Sequence, residues 1–151
     1  MTIRRLTAAD RGALARFTCA RPAEPWAEAV QETIRTDLAD QLASGGVSAA
    51  GLFDDSGALR GVAAWRIYDV APPVLCRGDI VAVTVRDRRK GYGRALKEAM
   101  IAEARAGGAV AVSSVVHRHN AAMILLNTAL GAIVEEIPHD PDHVRCVIGP
   151  L

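Results

Sequence analysis

Apolar residues recur along this chain with two spacings, and each spacing predicts one kind of element. Between residues 26 and 42 an apolar side chain stands at every fourth position, at Trp26, Val30, Ile34, Leu38 and Leu42. That spacing places them on one face of a helix. Dense apolar runs of strand length, such as 47–53 and 109–116, instead predict buried strands. Breaks rich in glycine or proline separate these segments.

The predicted elements follow one another in a defined order. Strands are predicted at 2–6, 47–53, 59–68, 75–85, 109–116, 132–137 and 143–148, and helices up to Phe17 and at 26–42, 91–106 and 120–130. The strands 75–85 and 109–116 are separated by a helix, and a connection of that length joins parallel neighbours. We therefore expect an α/β (α+β) fold with a mixed, mostly antiparallel central sheet of about seven strands flanked by about four helices.

Composition limits the class of protein and its partners. The 151 residues are 50% hydrophobic and 23% charged, which is typical of a compact chain, so we expect a single domain over residues 1–151. The formal net charge of +1 gives no overall attraction to nucleic acid or to an anionic membrane. No apolar run reaches the roughly 18 residues of a membrane span, and the first residues lack the apolar core of a signal peptide.

The cysteines, Cys19, Cys76 and Cys146, lie far apart in the sequence. Their spacing matches neither a zinc site nor a redox pair. We therefore expect buried, unpaired thiols in a protein of the cytoplasm, and no metal.

The segment Val81–Gly93 combines features that are common singly. An apolar strand runs into the basic loop Arg88–Gly93 (RRKGYG) and then into a helix. The first N–H groups of a helix have no partner within it, and glycines let a ligand approach the backbone closely. Cations crowd this helix end, whose dipole is already positive, at Arg88, Arg89, Lys90 and Arg94. A diphosphate would satisfy both the amides and the cations, whereas a solvated basic loop would need no ligand.

This segment resembles motif A of the GNAT N-acetyltransferase superfamily, in which a strand feeds an Arg/Gln-x-x-Gly-x-Gly/Ala loop. A second stretch, His119–Gly131, is similar to motif B, with Asn120 after a strand and a Leu-Gly pair at the end of the next helix. The resemblance implies the acyl-CoA N-acyltransferase fold. It also implies acetyl-CoA as cosubstrate, with a primary amine of a small molecule or peptide as acceptor, and it allows for a homodimer.

The resemblance assigns roles to individual residues. Backbone groups of Val83 and Val85 would pair with the pantetheine arm of CoA. Asn120 would contact the pantetheine or lie beside the thiol, although Asn also suits a helix N-cap. The diphosphate would be held by backbone amides of Arg88, Arg89, Lys90, Gly91, Tyr92, Gly93 and Arg94.

Acetyl transfer also needs a group that takes the proton of the amine and a group that serves the leaving thiolate. In many members of the superfamily a Tyr serves the thiolate, and the matching position is Asn127, whose amide cannot act as an acid. Asp79 is a candidate base if it is desolvated, but an ion pair with Arg77 on the same strand face would oppose that role. His117 is a candidate acid or base, since an imidazole has a pKa of about 6.5. Tyr68 is a candidate substitute for the missing Tyr.

Two functions therefore stay open. The first is a catalytic N-acetyltransferase, and the second is a non-catalytic regulatory module that binds acyl-CoA, which Asn127 at the Tyr position favours. A nucleic-acid contact by the basic run is not favoured, because aromatic residues are only 4% of the chain and no recognition motif is present. No pattern in the sequence identifies the acceptor amine.

Overall fold

The computed structural model describes residues 1–151, which form seven strands and five α-helices. The strands are β1 (Thr2–Arg5), β2 (Ser48–Phe53), β3 (Leu59–Tyr68), β4 (Leu75–Val83), β5 (Val112–His117), β6 (Ile133–Ile137) and β7 (Asp140–Ile148). The helices are α1 (Arg11–Ala15), α2 (Pro25–Thr36), α3 (Leu38–Ser44), α4 (Tyr92–Ala106) and α5 (Ala121–Ala129). Two 3-10 turns lie at Ala8–Asp10 and Val85–Asp87.

The strands form one sheet in the order β1-β2-β3-β4-β5-β7-β6. β4 and β5 are parallel, with Cys76 opposite Val112 and Arg77 opposite Ser113. The pairs β1–β2, β2–β3, β5–β7 and β6–β7 are antiparallel. The predicted mixed, mostly antiparallel sheet of seven strands is therefore confirmed, as is the parallel pair that the intervening helix required.

The prediction of one helix over 26–42 is wrong, because the chain forms α2 and α3 there. The hydroxyl of Thr33 donates to the carbonyl of Ala29 at 3.2 Å, and that of Thr36 donates to the carbonyl of Glu32 at 2.7 Å. Such bonds from a side chain to the carbonyl four residues back compete with the helix ladder and bend the helix. The axis breaks at Asp37, so the helices number five rather than four.

Contacts divide the chain into two compact units, one of residues 1–65 and 80–100 and the other of residues 66–79 and 101–151. One domain over the whole chain stays a prediction. In the first unit the helices α1–α3 bury Leu14, Ile34 and Leu38 completely, in a cluster with Val62 and Ala64 of β3. In this unit the apolar stripe predicted from the four-residue spacing therefore faces a sheet.

In the second unit, α5 covers β5 and β7. Val116, Val144 and Cys146 are buried in a cluster, and Met123 and Ile124 of α5 pack against it. All three cysteines are buried and free, as predicted. Burial raises the pKa of the Cys19 thiol to about 11.

No helix combines the length and the apolar character that crossing a bilayer requires.

Close packing of β3 on α4 yields a stability prediction for Gly61. A Cβ at this position would lie 2.8 Å from Cδ1 of Leu96 and 3.3 Å from the carbonyl oxygen of Ala82. We expect Gly61→Ala to lower the free energy of unfolding by about 1–3 kcal/mol, because the core has no room for the methyl group. Urea unfolding followed by circular dichroism measures this.

The matched control is Gly46→Ala, whose Cβ would meet only ordinary contacts, the nearest at 3.5 Å. It should change stability by less than about 0.5 kcal/mol. Equal effects of the two substitutions would contradict the packing argument.

Candidate functional site

The loop between β4 and α4 has an unusual backbone. After the 3-10 turn, Arg89 and Gly91 take left-handed conformations with φ of 63° and 83°. The N–H of Ala95 then donates to the carbonyl of Gly91 at 3.0 Å, which is the first hydrogen bond of α4. Alternation of right- and left-handed residues turns successive N–H groups toward one side of a loop, and such concave arrangements bind anions.

Most peptide N–H groups of this loop are unpaired. Those of Arg89, Gly91, Tyr92, Gly93 and Arg94 donate no hydrogen bond to another group of the chain. The N–H of Lys90 closes the turn at Arg88 and Arg89. A helix N-terminus always leaves a few such donors, but this loop adds further ones ahead of the first helical turn. The donor set fits a diphosphate, which accepts several hydrogen bonds at once and is favoured by the helix dipole.

The basic side chains of the loop form ion pairs within the chain, which the sequence did not predict. Arg88 donates to both carboxylate oxygens of Glu24, each at 2.9 Å, and also to the carbonyl of Cys19. These bonds lower the pKa of Glu24. The guanidinium of Arg88 therefore ties the loop to the segment before α2 and has fewer N–H donors left for a ligand.

Carboxylates also pair with two more of the four cations. Lys90 lies 3.4 Å from Asp87, and Arg94 lies 2.9 Å from Glu98 one helical turn on. Arg89 is exposed and has no carboxylate partner. Three of the four cations therefore have carboxylate partners within the chain, so the argument for an anion site rests mainly on the N–H groups.

Asp87 holds the loop in place, and sequence reasoning missed it. Its side chain is only 5% exposed and pairs with Arg60 at 2.5 Å and with Lys90. The hydroxyl of Thr84 also donates to it, and this bond is the main cause of a lowered pKa for Asp87. The signal in the sequence was the single acid within the run RDRRK, because an acid among cations can form ion pairs that hold a loop in place.

The prediction that the strand reaches Val85 is wrong. β4 ends at Val83, and Val85 begins the 3-10 turn, where its carbonyl accepts from the N–H of Arg88 at 3.3 Å. A second backbone hydrogen bond, from the N–H of Asp87 to the carbonyl of Thr84 at 2.9 Å, closes the turn. Strand-like pairing of a ligand with Val83 stays a prediction, and for Val85 the extended backbone it requires is absent.

In the second unit, Asp79 lies between two guanidiniums. Its Oδ2 accepts from Nε of Arg66 at 3.1 Å, and its Oδ1 accepts from Nε of Arg77 at 2.6 Å. The two interpretations of Asp79 from sequence were a base and an ion pair with Arg77, and the geometry favours the ion pair. Both oxygens of this carboxylate therefore accept from guanidinium groups, which leaves it less exposed to an incoming amine.

Tyr68 belongs to the same cluster. Its ring is part exposed, and the guanidinium carbon of Arg77 lies 5.9 Å from the ring centroid. This distance is at the limit of a cation–π contact. The phenol is therefore accessible, and its proposed replacement of the missing Tyr stays a prediction.

The geometry of His117 limits its chemistry. Its Nδ1 accepts from the peptide N–H of His119 at 3.1 Å, and its ring also contacts the rings of His119 and His143. Acceptance at Nδ1 places the proton of the neutral ring on Nε2. Neutral His117 with this tautomer carries a hydrogen-bond donor at Nε2, which suits hydrogen bonding to a developing anion rather than transfer of its only ring proton.

The two asparagines have separate structural roles. Asn120 is the N-cap of α5, with its Oδ1 accepting from the N–H of Met123 at 3.3 Å. Asn127 is fully buried, and its Nδ2 donates to the carbonyl of Met123 at 3.0 Å while its Oδ1 has no partner. The side chain of Asn127 is therefore buried and hydrogen-bonded within α5.

The sequence comparisons find no similar protein, whereas many solved structures are similar to this chain in fold. No family model matches the chain, and no curated protein matches it. The PaiA N-acetyltransferase from Thermoplasma acidophilum, in complex with coenzyme A, is 18% identical with a TM-score of 0.79, and the match covers 98% of each chain. Naa20 of Chaetomium thermophilum, in complex with a bisubstrate analogue, is 20% identical with a TM-score of 0.65, covering 99% of this chain and 86% of that one.

A third similar structure is the AtaT–AtaR complex bound to DNA, 20% identical with a TM-score of 0.71, covering 96% of this chain and 93% of that one. Identities at this level establish the fold alone. The absence of a nucleic-acid partner for this chain stays a prediction.

The buried Asp87 generates a prediction about stability and pH. We expect Asp87→Asn to lower the free energy of unfolding by about 2 kcal/mol at pH 7, because Arg60 loses a charged partner in a buried site. The pKa of Asp87 is lowered by folding, so its contribution is present above the unfolded pKa of about 3.9 and is lost as the pH falls through the folded value.

The stability difference between wild type and Asp87→Asn should therefore shrink as the pH falls below about 4. Urea unfolding at a series of pH values measures it. Asp55→Asn is the control, since that side chain is fully exposed and should change stability little. A difference that stays constant down to the acid range would contradict the assignment.

Proposed function

We propose that this chain, which has the fold of the GNAT N-acetyltransferases, transfers an acetyl group from acetyl-CoA to a primary amine by direct attack in a ternary complex. The acceptor is a small-molecule or peptide amine. The coarser part of this statement, an acyltransferase that binds CoA, has the support of structural relatives that are named as N-acetyltransferases or contain coenzyme A.

One observation carries the proposal. The peptide N–H groups of Arg89, Gly91, Tyr92, Gly93 and Arg94 donate to no acceptor in the chain, at the N-terminus of a helix and beside two left-handed residues. The first N–H groups of a helix have no partner within it, and a bound anion is one way to satisfy them. A diphosphate supplies the acceptors, and the fixed loop loses little entropy on binding it.

The reaction takes one proton from the amine and supplies one to the leaving group. The attacking nitrogen loses a proton as the new amide bond forms, and the thioester bond breaks to release a thiolate that requires a proton or a hydrogen-bond donor. We assign His117 to the thiolate as a hydrogen-bond donor, with solvent as the source of the proton. Asp79 as base stays a prediction, which its two arginine partners oppose.

A second candidate function is a regulatory module that binds acyl-CoA without turnover. The buried side chain of Asn127 favours it, because the position where many related enzymes carry a Tyr offers no acid. The two candidates share the donor site and differ in thiol release.

Binding of the donor is tested at Gly91. We expect Gly91→Val to raise the Kd for acetyl-CoA by about tenfold or more, because a β-branched residue is strained at a φ of 83° and the N–H groups would reorient. Isothermal titration calorimetry measures the Kd. The control is Gly57→Val, which has a φ of 84° and equally open surroundings, but lies in the β2–β3 turn.

Gly57→Val should carry the same kind of backbone strain and leave the Kd unchanged. If Gly91→Val bound acetyl-CoA as well as wild type does, the loop would not be the diphosphate site.

Turnover is tested by thiol release with a panel of primary amines. We expect wild type to release CoA with at least one amine, and His117→Ala to lower kcat by about a hundredfold, because the developing thiolate loses a hydrogen-bond donor. The Kd for acetyl-CoA should not change in this variant. Thiol release by none of the amines, with acetyl-CoA still bound, would favour the regulatory module.

A further inference from the structure

The arginine pair, Arg66 and Arg77, forms a second site for an anion. We propose that this pair binds an anionic group, a carboxylate or a phosphate, carried by the acceptor amine. The acceptor class is then an amine that bears its own negative charge. This inference rests on the proposed function, because it identifies the anion as part of the acceptor.

Asp79 engages each arginine through one nitrogen only. The contacts run from Nε of Arg66 and from Nε of Arg77 to different oxygens of Asp79, at 3.1 and 2.6 Å. No group of the chain accepts from the terminal nitrogens of either guanidinium. Each guanidinium has five N–H donors, so most of its hydrogen-bonding capacity is left for a ligand.

The charge of the cluster favours an anion. Two guanidiniums share one carboxylate, so the cluster keeps a net positive charge even with Asp79 ionised. The hydrogen bond to Asp79 raises the pKa of Arg77, which keeps that guanidinium charged. A second negative charge, supplied by a ligand, would balance the two guanidiniums. Planar guanidinium groups also bind carboxylates and phosphates with two parallel hydrogen bonds, which an ammonium group cannot do.

Asp79 also holds the pair in position before a ligand arrives. The side chains of Arg66 and Arg77 are 31% and 49% exposed, so solvent reaches both, while Asp79 is 20% exposed. Free arginine side chains lose about 2 kcal/mol of rotamer entropy when they are fixed. An arginine that is already anchored at Nε loses less, which is the physical advantage of a preorganised site.

Neighbouring groups suit the uncharged part of a small acceptor. Ser113 stands opposite Arg77 in the parallel register of β4 and β5, and its hydroxyl makes no hydrogen bond within the chain. The ring of Tyr68 lies beside Arg77 on the other side. A short amine with a terminal carboxylate has the polar groups that these side chains complement.

The cluster lies within one compact unit, since residues 66–79 and 101–151 form the second unit. A salt-bridge triad with a purely structural role is the competing explanation. That role would leave the choice of acceptor unaffected.

The kinetic experiment compares acceptors that differ in charge. β-Alanine, 2-aminoethylphosphonate and the uncharged β-alaninamide are assayed with the wild-type protein and acetyl-CoA. We expect at least one of the two anionic amines to have a kcat/KM about tenfold or more above that of β-alaninamide. The first amine tests a carboxylate and the second a phosphate-like group.

Variants assign the preference to the arginine pair. Arg66→Gln and Arg77→Gln should each remove the preference by raising KM for the anionic amine, with kcat and the Kd for acetyl-CoA unchanged. The matched control is Arg105→Gln, an exposed arginine in the last turn of α4 that no contact joins to the pair. It should keep the preference.

Three outcomes overturn the inference: no preference for either anionic amine, a preference that survives both substitutions, or an equal loss of acetyl-CoA affinity in Arg66→Gln and Arg77→Gln. The last would assign the pair to the donor.

A binding experiment tests the site without turnover. Succinate and inorganic phosphate are titrated into the protein while the Nε–Hε resonances of arginine are followed by NMR. Saturable shifts of Arg66 and Arg77 in wild type and in Arg105→Gln, with loss of the Arg66 shift in Arg77→Gln, support the site. If the shifts do not saturate when each anion is added to about 5 mM, roughly a 50-fold excess over the protein, the site is overturned.

The experiments distinguish failure of the two proposals. Saturable anion binding without thiol release would reject the acetyltransferase, and with it the acceptor role of the anion, while the anion site itself would stand. Thiol release without any charge preference would support the acetyltransferase and reject the arginine pair as the acceptor site.

Discussion

The ion pair between Asp87 and Arg60 is the constraint on which the loop before α4 depends. Both side chains are buried, and a buried charge without a partner would cost several kcal/mol. The carboxylate also accepts from the hydroxyl of Thr84, while backbone bonds close the 3-10 turn at the end of β4. The side chain of Asp87 thus holds the chain where it enters α4, and there the N–H groups of Gly91, Tyr92, Gly93 and Arg94 find no acceptor in the chain.

This arrangement changes the physical meaning of the basic run. Arg88, Lys90 and Arg94 each have a carboxylate partner, so their charges are largely balanced within the chain. Affinity for a diphosphate would then come mainly from backbone donors and the helix dipole, which are fixed in direction. Arg89, which has no carboxylate partner, is the side chain best able to add a charge to that site.

Hydrogen-bond partners also decide what the titratable groups of the second unit can do. Arg66 and Arg77 each donate to one oxygen of Asp79, which gives that carboxylate the role of an anchor for the two arginines. The N–H of His119 occupies one nitrogen of His117 and leaves the proton of the neutral ring on the other. A carboxylate and an imidazole that were both candidates for proton removal thus acquire different roles, one orienting arginines and one donating a hydrogen bond.

The sequence alone determined the order of elements, the parallel pair β4–β5 and the loop with its glycines, because these follow from local periodicity and from the length of a connection. Only the tertiary structure decided the partners of the charged side chains. Glu24 meets Arg88 across 64 residues, and Arg66 meets Asp79 from the neighbouring strand. Periodicity shows which face of an element is apolar. It does not show which polar groups come into contact when those faces pack, and these contacts set the net charge and the orientation of the side chains at each candidate site.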